Sequence, residues 1–409
     1  MLTGHRGKPT EGGSRAAAVA ALACAAILAL SACGSSSTKS GSAGTNSSGS
    51  TSAASNAALT DTSVTAAKTL TDPLLQRPSS IGLTQPLSAK PPSGKRIALV
   101  GCNLAGCEQY YKDMQAAVKV LGWTVTFYPE ASTPESVVAA LQSAAATKPD
   151  GLVTVGVTGQ GLAAAAGALK AANVPIVGGG FISSDISQAK AAVGNLLVNV
   201  TSDETIESRQ GKSLGAWMVA DSKGKTNVLN VTYSEFPILV QTDSAAIQAG
   251  VKQYCSTCNV TTLPVSASTA GSTLPSVIVS NLQSHPQINY VCLEDGSMVT
   301  GLVAALADAG LQNKLKIVGT EATPAAAAEV VQGKEYGWAN IGTEIVTYQD
   351  LDALARHFVG DPQVSYGATE PIQIFTKSSF GAAPTSASIL DDLEFTGILN
   401  QWATLWRES

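Results

Sequence analysis

Polar, charged and aromatic side chains are concentrated where the predicted strands of this chain end. Carboxylates and amides accept or donate hydrogen bonds, and aromatic rings pack against carbon skeletons, so these residue types suit the binding of a small molecule. The candidate positions are Asn103, Glu108, Tyr110, Thr158, Gly180, Phe181, Ser234, Phe236, Glu294, Asp295, Glu321 and Asn340. Ligands of open parallel α/β sheets bind beyond the carboxyl ends of the strands, and the sequence therefore predicts one shared binding site.

Catalytic chemistry is not indicated by the sequence. Of the histidines, His5 lies near the start of the chain, His285 in a Ser-His-Pro turn, and His357 on an amphipathic helix away from the strand ends. Neither a Gly-x-Ser-x-Gly elbow nor a His-Glu-x-x-His motif occurs, and the glycines at 178–180 lack the Lys-Ser or Lys-Thr of a phosphate loop. We expect a binding protein without catalytic residues, cofactor or metal.

The start of the chain has the features of an export signal. An apolar stretch from Ala16 to Leu30 follows three basic residues and is shorter than the ~20 residues of a membrane-spanning helix. It ends in Leu30-Ser31-Ala32-Cys33-Gly34, which resembles the lipobox of bacterial lipoprotein signal peptides. The resemblance implies a signal peptide at 1–32, lipid on Cys33 and an extracytoplasmic protein anchored to the outer face of the cell membrane. A plain secretory peptide is the alternative.

Residues 33–94 predict a tether. The part from Gly34 to Ala58 is almost wholly Ser, Gly, Thr, Ala and Asn, too poor in apolar side chains to offset the entropy of ordering it. The part from Thr71 to Lys95 contains five prolines, which favour extended segments over helix. A stiff spacer is the favoured interpretation, and docking of Pro73 to Leu87 onto the folded body is the alternative.

The cysteines predict two short disulfides. Cys24 belongs to the leader and Cys33 to the lipid site, so five remain in an oxidising compartment. Their spacing favours pairs of Cys102 with Cys107 and of Cys255 with Cys258, with Cys292 as a buried free thiol. A metal site made by these four cysteines would require the two pairs to lie close together in the fold, which nothing in the sequence indicates. A redox role for Cys255 and Cys258 is not favoured either, because they do not lie at a helix start as in thioredoxin-like proteins.

Charge and length limit the partners and the architecture. The formal net charge of −5 becomes −7 without the leader, because Arg6, Lys8, Arg15 and Glu11 together carry +2. An acidic chain without a basic cluster argues against nucleic acid as a partner. The body from Lys95 to Ser409 is longer than one domain core usually holds, which predicts two lobes. Short apolar strands alternate with amphipathic helices twice over, and this predicts an α/β fold of two doubly wound parallel-sheet lobes.

Several strings in this order resemble the type I periplasmic binding proteins of the ribose and galactose class. They include Arg96-Ile97-Ala98-Leu99-Val100, Pro149-Asp150-Gly151-Leu152-Val153, Asn173-Val174-Pro175-Ile176-Val177 and Lys316-Ile317-Val318-Gly319. The resemblance implies two lobes joined by a three-crossover hinge, with a ligand cleft between them. Lobe 1 would contain residues 95–200 with 343–362, and lobe 2 residues 201–342 with 363–409.

The chain departs from that family where sugars are bound. Asn103 matches the family's asparagine, but the aromatic residues after it are missing, and Gly179-Gly180-Phe181 replaces an Asp-Arg pair. The position of the family's second arginine falls near Asp243 or Gln241, and we take Asp243 as a further candidate ligand-binding residue. The position of the family's late glutamine falls near Asn340 or Ile341. Arginine side chains donate paired hydrogen bonds to carboxylates and hydroxyl groups, so the loss of both arginines argues against an anionic ligand. Polyols, other neutral solutes and amines remain as candidate ligands.

The resemblance and the export signal together predict a function. We expect a monomeric, lipid-anchored solute-binding protein that delivers a sugar-like or polyol ligand to a membrane ABC importer. One alternative is a ligand-sensing lipoprotein that signals to a membrane receptor. Another is a binder of an amine or nucleoside-type solute.

Overall fold

The computed structural model describes residues 50–178, 183–199, 204–367, 369–379 and 397–408, and their strands form two sheets. The first sheet contains β1 (Arg96–Cys102), β2 (Thr124–Glu130), β3 (Gly151–Val155), β4 (Ile176–Gly178) and β5 (Leu196–Asn199). The second contains β6 (Asn227–Tyr233), β7 (Asn259–Val265), β8 (Tyr290–Leu293), β9 (Lys316–Thr320), β10 (Gly337–Asn340) and β11 (Gln373–Thr376).

The strand orders are those of doubly wound sheets. The first sheet has the order β2-β1-β3-β4-β5, and every pairing in it is parallel. The second has the order β11-β10-β9-β8-β6-β7 and is parallel except for the antiparallel edge pair of β10 and β11. The prediction of an α/β fold with two doubly wound lobes is confirmed. Each sheet reverses its strand order beside its first strand, which is where such sheets bind ligands.

Helices cover these sheets and begin at residues that the sequence marks. In chain order they are α1 (Ser50–Thr71), α2 (Ala105–Val120), α3 (Pro134–Ala146), α4 (Gly159–Ala164), α5 (Ala166–Ala172), α6 (Ser183–Val193), α7 (Glu204–Ser222), α8 (Ser244–Tyr254), α9 (Leu274–Ser284), α10 (Leu302–Asp308), α11 (Pro324–Gln332), α12 (Thr343–Val359) and α13 (Ile398–Leu405). The Thr133 hydroxyl accepts a hydrogen bond from Ser136 N and caps α3, and Thr323 caps α11 in the same way. Both helices then start with proline, which suits the first turn because it needs no N–H donor there.

The chain passes between the sheets after β5, after β10 and again after α12. Helix α12 belongs to lobe 1, because its Leu351 and Leu354 pack in the same buried cluster as Ile97 and Leu99 of β1. The end of the chain differs from expectation. We expected residues 363–409 in lobe 2. In the described part of that range, β11 joins the second sheet, whereas α13 packs on α12 through Trp402 and Trp406, both fully buried. Burying two indole rings stabilises this placement.

The proline-rich segment is not a free spacer in the structure. Ile81 is 3% exposed and Leu87 is fully buried. Leu87 N donates to Leu405 O at 2.9 Å, Arg356 Nη2 donates to Gln85 O at 2.8 Å, and Trp123 Nε1 donates to Pro92 O at 2.9 Å. The segment therefore docks on lobe 1, as the alternative interpretation predicted. It does so because Ile81 and Leu87 pack in the buried cluster that contains Trp402 and Trp406 of α13.

The end of the expected leash is helical. Helix α1 starts at Ser50 and contacts α7 and α8 of lobe 2. Ala67 is fully buried, and Val64 packs against the cluster that contains Trp217 and Met218 of α7. The tether predicted for 33–94 therefore has its latter part, from residue 50 onward, laid on the folded body. Cys33 and the signal peptide lie outside the described residues.

Both disulfides that the sequence suggested are present. Cys102 and Cys107 join the end of β1 to the first turn of α2, with Cα atoms 5.6 Å apart. Cys255 and Cys258 join the end of α8 to the start of β7, with Cα atoms 5.3 Å apart. Cys292 in β8 is a buried free thiol, as expected.

Candidate functional site

A cleft of about 140 Å³ lies between the carboxyl ends of the two sheets. Its walls come from both lobes: from the ends of β1 and β3 and the start of α2 in lobe 1, and from the residues that follow β6, β8, β9 and β10 in lobe 2. The lining is mainly apolar and includes Leu104, Tyr110, Val155, Phe236, Ile238, Leu239 and Ile341. A cleft with apolar walls and a few polar groups is the usual form of a small-molecule site.

The Cys102–Cys107 disulfide shapes the lobe 1 wall. Both sulfurs belong to the buried cluster that contains Tyr233 and Phe236 of lobe 2, so the bridge contributes to the interlobe contact. The same turn of α2 supplies Gln109 and Tyr110. Gln109 Nε2 donates to Asp113 at 2.7 Å, and the Tyr110 hydroxyl donates to Asp350 of α12. These bonds fix both side chains in place before any ligand arrives.

Phe236 forms the facing wall in lobe 2. Its ring packs edge-on against Tyr233, with centroids 6.2 Å apart. Gly156, at the end of β3, lies opposite with φ +70°, and a Cβ there would lie 3.3 Å from the Phe236 ring. The two lobes thus meet at a point where a side chain larger than glycine would hold them apart.

Three carboxylates face this apolar space. Glu207 comes from the first turn of α7, Asp295 follows β8, and Glu321 follows β9. Glu207 is only 7% exposed, and its Oε2 has no hydrogen-bond partner among the described residues. Glu321 has φ +53°, a left-handed conformation that is rare outside glycine, and its buried Oε1 likewise lacks a partner within the described part of the chain. Asp295 accepts a hydrogen bond from Ser297 N at 2.7 Å.

Further carboxylates lie directly behind these three. Asp243 is fully buried and accepts a hydrogen bond from the Thr320 hydroxyl at 2.9 Å. Glu294 is also fully buried and accepts from Asn230 and Ser244. Glu370 interacts electrostatically with Glu207. Lobe 2 therefore concentrates six acids around one edge of the cleft, two of them adjacent residues that follow β8.

Burial raises the pKa of every acid that faces the cleft, and repulsion from other acids adds to the rise in Glu207 and Glu321. Burial raises the pKa of Glu207 well above its usual value, and the charges of Glu321, Asp243, Glu370 and Glu294 raise it further. Burial raises the pKa of Glu321 to about 7; a side-chain hydrogen bond with Gln210 opposes this rise, and the charge of Asp295 adds to it. Burial also raises the pKa of Asp295. Among the described residues, no Lys, Arg or His lines the cleft.

Four of the predicted site residues line the cleft: Tyr110, Phe236, Asp295 and Glu321. The others are placed elsewhere. Asn103, Glu108 and Ser234 are exposed, and Thr158 caps α4 through Gly161 N. Asp243 and Glu294 point into lobe 2 behind the cleft, and Asn340 is buried within β10. Gly180 and Phe181 lie outside the described residues.

Sequence reasoning missed Glu207, Gln109 and Thr343. Thr343 is the first residue of α12, and its hydroxyl donates to Asp113 at 2.6 Å, which ties α12 to α2 at the hinge. Glu207 lies in the first turn of a helix, where an acid usually indicates an interaction with the helix dipole. The signal that could have identified it is its position just after a predicted crossover between lobes.

Comparisons with known proteins agree with this architecture. A family model described as a periplasmic binding protein domain matches residues 103–362, and the chain belongs to this family. Its family is therefore one that binds solutes and does not catalyse a reaction. A comparison with curated protein sequences gives no significant match.

Solved structures show the same fold at low sequence identity. An ABC sugar transporter subunit from Rhodobacter sphaeroides is 17% identical with a TM-score of 0.58, and the match covers 70% of this chain and 99% of that one. A carbohydrate transporter from Acidothermus cellulolyticus, in complex with myo-inositol, is 19% identical with a TM-score of 0.56, covering 74% and 98%. A 5-methylthioribose transporter solute-binding protein from Thermotoga lettingae is 14% identical with a TM-score of 0.58, covering 78% and 99%. In the part of this chain that the structure describes, no helix is long and apolar enough to cross a membrane.

Proposed function

We propose that this protein is anchored by lipid on Cys33 at the outer face of the cell membrane. There it captures a small sugar-like or polyol solute in the interlobe cleft and delivers it to an ABC importer as a monomer. The observation that carries the proposal is the cleft itself, whose walls come from both lobes at the carboxyl ends of their strands. A solute bound there contacts both lobes and favours their closed arrangement.

The proposal is supported by what related structures bind. Proteins of this fold are described with D-allose, myo-inositol, allitol and 5-methylthioribose. These ligands are small and carry several hydroxyl groups. The cleft of this chain offers Gln109, Thr323 and Thr343 as hydrogen-bonding groups beside its acids.

The test is a thermal-shift and calorimetric panel of sugars, polyols, amines and nucleosides on the purified full chain. A solute that binds only the folded protein adds about 2.7 kcal/mol of stability at 100 times its dissociation constant. We expect at least one member of the panel to bind with one-to-one stoichiometry. If no small solute stabilises the chain, the proposed function fails.

A pair of glycine variants locates the binding event. Gly156→Leu places a side chain against Phe236 and should prevent closure and binding. Gly194→Leu is the matched control: Gly194 also has positive φ, at +80°, but a Cβ there meets nothing within 4 Å. Both variants suffer the same kind of backbone strain, so a loss of binding confined to Gly156→Leu identifies the cleft.

The membrane anchor is tested separately from solute binding. Cys33→Ala should move the protein from the membrane fraction to the medium or periplasm, with no change in solute affinity. An unchanged membrane fraction would contradict lipidation at Cys33.

A further inference from the structure

We propose that the solute bound in the cleft carries a protonated amine, which Glu207 and Glu321 hold with Asp295 beside them. This inference rests on the proposed function, because it assumes that the cleft is the solute site. It goes further by naming the ligand as an organic cation, whereas the related structures are described with neutral sugars and polyols.

Glu207 is the first observation. Its side chain is more than nine-tenths buried, lines the cleft, and leaves Oε2 without a hydrogen-bond partner among the described residues. A buried carboxylate oxygen without a partner is costly, and in native structures such a group usually has a functional explanation. A donor supplied by the ligand would satisfy it.

The backbone of Glu321 is the second observation. Its φ of +53° holds a non-glycine residue in the left-handed region, which is energetically unfavourable and tends to occur at ligand sites. Gly296 N donates to Glu321 O at 2.9 Å, and this bond helps to hold the turn. The turn presents the carboxylate to the same space as Glu207, where Oε1 has no partner in the described part of the chain.

The third observation is the missing countercharge. No basic side chain lines the cleft within the described ranges, and the undescribed segments 179–182, 200–203, 368 and 380–396 contain no Lys, Arg or His in the sequence. The nearby Arg209 is engaged elsewhere, donating to Gly367 O at 2.7 Å and to Glu370 O at 3.1 Å. Among the described residues, no basic side chain therefore faces Glu207, Asp295 and Glu321 in the cleft, and the ligand is the remaining source of positive charge there.

The remaining walls favour an organic ammonium over a bare metal ion. Among the described residues, no group of three or more His, Cys, Asp or Glu side chains is arranged to hold a metal. Leu104, Val155, Ile238 and Leu239 instead form an apolar surface suited to a carbon skeleton. The rings of Phe236 and Tyr110 at the same cleft can also attract a cation through their faces.

The experiment compares matched alcohols and amines by calorimetry on the purified full chain at neutral pH. The pairs are glucitol with 1-amino-1-deoxyglucitol, glucose with glucosamine, and cyclohexanol with cyclohexylamine, with magnesium and calcium chloride as separate arms. We expect the amine to bind at least about tenfold more tightly than its alcohol, which corresponds to about 1.4 kcal/mol. The preference should weaken at high salt.

The possible results separate the two proposals. If a neutral member binds as tightly as its amine, the amine inference is wrong and the proposed function stands. If a metal salt alone binds more tightly than any amine, the organic ligand is wrong. If nothing binds, both proposals fail.

Isosteric variants then test the residues. Glu207→Gln and Glu321→Gln should each weaken amine binding about tenfold or more, and should weaken binding of the matched alcohol much less. Glu335→Gln is the matched control, because Glu335 is also a buried glutamate but lies outside the cleft and accepts a hydrogen bond from Trp338 Nε1 at 2.8 Å. Equal losses for amine and alcohol would indicate a structural role and overturn the assignment. If Glu321→Gln does not fold, Glu207→Gln still decides the question.

Discussion

Two buried acids, Asp352 of lobe 1 and Glu207 of lobe 2, have opposite surroundings. In lobe 1, Asp352 is fully buried but receives hydrogen bonds from Arg356 Nε at 2.6 Å, Tyr366 OH at 2.5 Å and Trp406 Nε1 at 3.0 Å. In lobe 2, Glu207 has four other acids as electrostatic neighbours, and its Oε2 has no partner within the described ranges. Burial raises the pKa of both carboxyl groups, but the neighbours of Asp352 oppose that rise and those of Glu207 reinforce it.

This difference separates acids that serve the fold from acids that await a ligand. A buried charge that has a complete set of donors can be kept for stability or specificity alone. A buried charge without donors reduces stability until something binds, and such groups are concentrated at functional sites. Mutations of the two groups should therefore affect stability with opposite signs.

Breaking the compensated pair should have the largest effect. Arg356→Met leaves Asp352 buried without its charged partner and also removes the bond from Arg356 Nη2 to Gln85 O. We expect a loss of about 3–5 kcal/mol in the free energy of unfolding, measured by urea denaturation. Lys68→Met is the control, because Lys68 and Asp72 form an exposed pair with the same i,i+4 spacing, so its loss should be below about 1 kcal/mol. Similar losses of stability in both variants would mean that the buried pair of Arg356 and Asp352 contributes no more than an exposed ion pair.

The pH dependence of stability tests the uncompensated group. The pKa of Glu321 is raised from about 4.5 in the unfolded chain to about 7 in the fold by burial. Between these values the unfolded chain releases a proton that the fold retains, so stability without ligand falls as pH rises through this window. The full effect is at most about 3 kcal/mol.

The variant Glu321→Gln isolates this contribution. Asp113 has a pKa raised to about 7 by burial and contributes with the same sign, as do Glu207, Asp243 and Asp295 around Glu321. The wild-type stability should therefore decline more steeply than that of Glu321→Gln from about pH 4.5 to 7, measured by thermal unfolding at each pH. Parallel pH profiles would mean that Glu321 titrates normally.

Tyr110→Phe tests the buried acid Asp350 of α12, which accepts a hydrogen bond from the Tyr110 hydroxyl of α2. The variant removes the hydroxyl that donates to the fully buried Asp350. We expect a loss of about 1–3 kcal/mol in the free energy of unfolding. Tyr128→Phe should change stability little, because that hydroxyl is exposed and lies 3.4 Å from Thr147 Oγ1. No loss in Tyr110→Phe would show that Asp350 needs no partner.

The sequence predicts the fold well because its signals are local. Strand and helix alternate with the periods expected for an α/β protein, and helix starts such as Thr133 and Thr323 carry their own caps. The short disulfides are equally local, since their partners lie five and three residues apart. The predictions that fail concern long-range contacts. Leu87 hydrogen-bonds Leu405 of α13 across most of the chain, and neither segment carries a local sequence signal for this contact.

The site is only partly predictable for a geometric reason. Glu294 and Asp295 are neighbours at the end of β8, yet the first turns inward to Asn230 and Ser244 while the second faces the cleft. Sequence identifies the strand end but not which of two adjacent side chains reaches the ligand. Glu207 is harder to predict, because its place beside Glu321 depends on how α7 packs against β9 and β10.

Glu207→Gln should have the smallest effect on the free protein and the most informative sign. Replacing the carboxylate by a neutral amide of the same shape removes repulsion from Glu321, Asp243, Glu370 and Glu294. We expect the unliganded variant to be more stable by about 0.5–2 kcal/mol, seen as a gain in melting temperature that grows as pH rises and the wild-type carboxyl group has to ionise. Glu335→Gln is the control: burial raises the pKa of Glu335 to about 8, but Glu329 is the one acid that adds to this rise, so less repulsion is removed and the gain should be smaller.

A gain in stability together with lost ligand affinity is the signature of a residue kept for binding. Compensated acids such as Asp352 cannot give this result, because removing them or their partners only takes away hydrogen bonds. If Glu207→Gln is instead less stable than the wild type, Glu207 is satisfied in the free protein and belongs with the structural acids. Glu207 and Asp352 would then differ in where they lie in the fold and not in what they do.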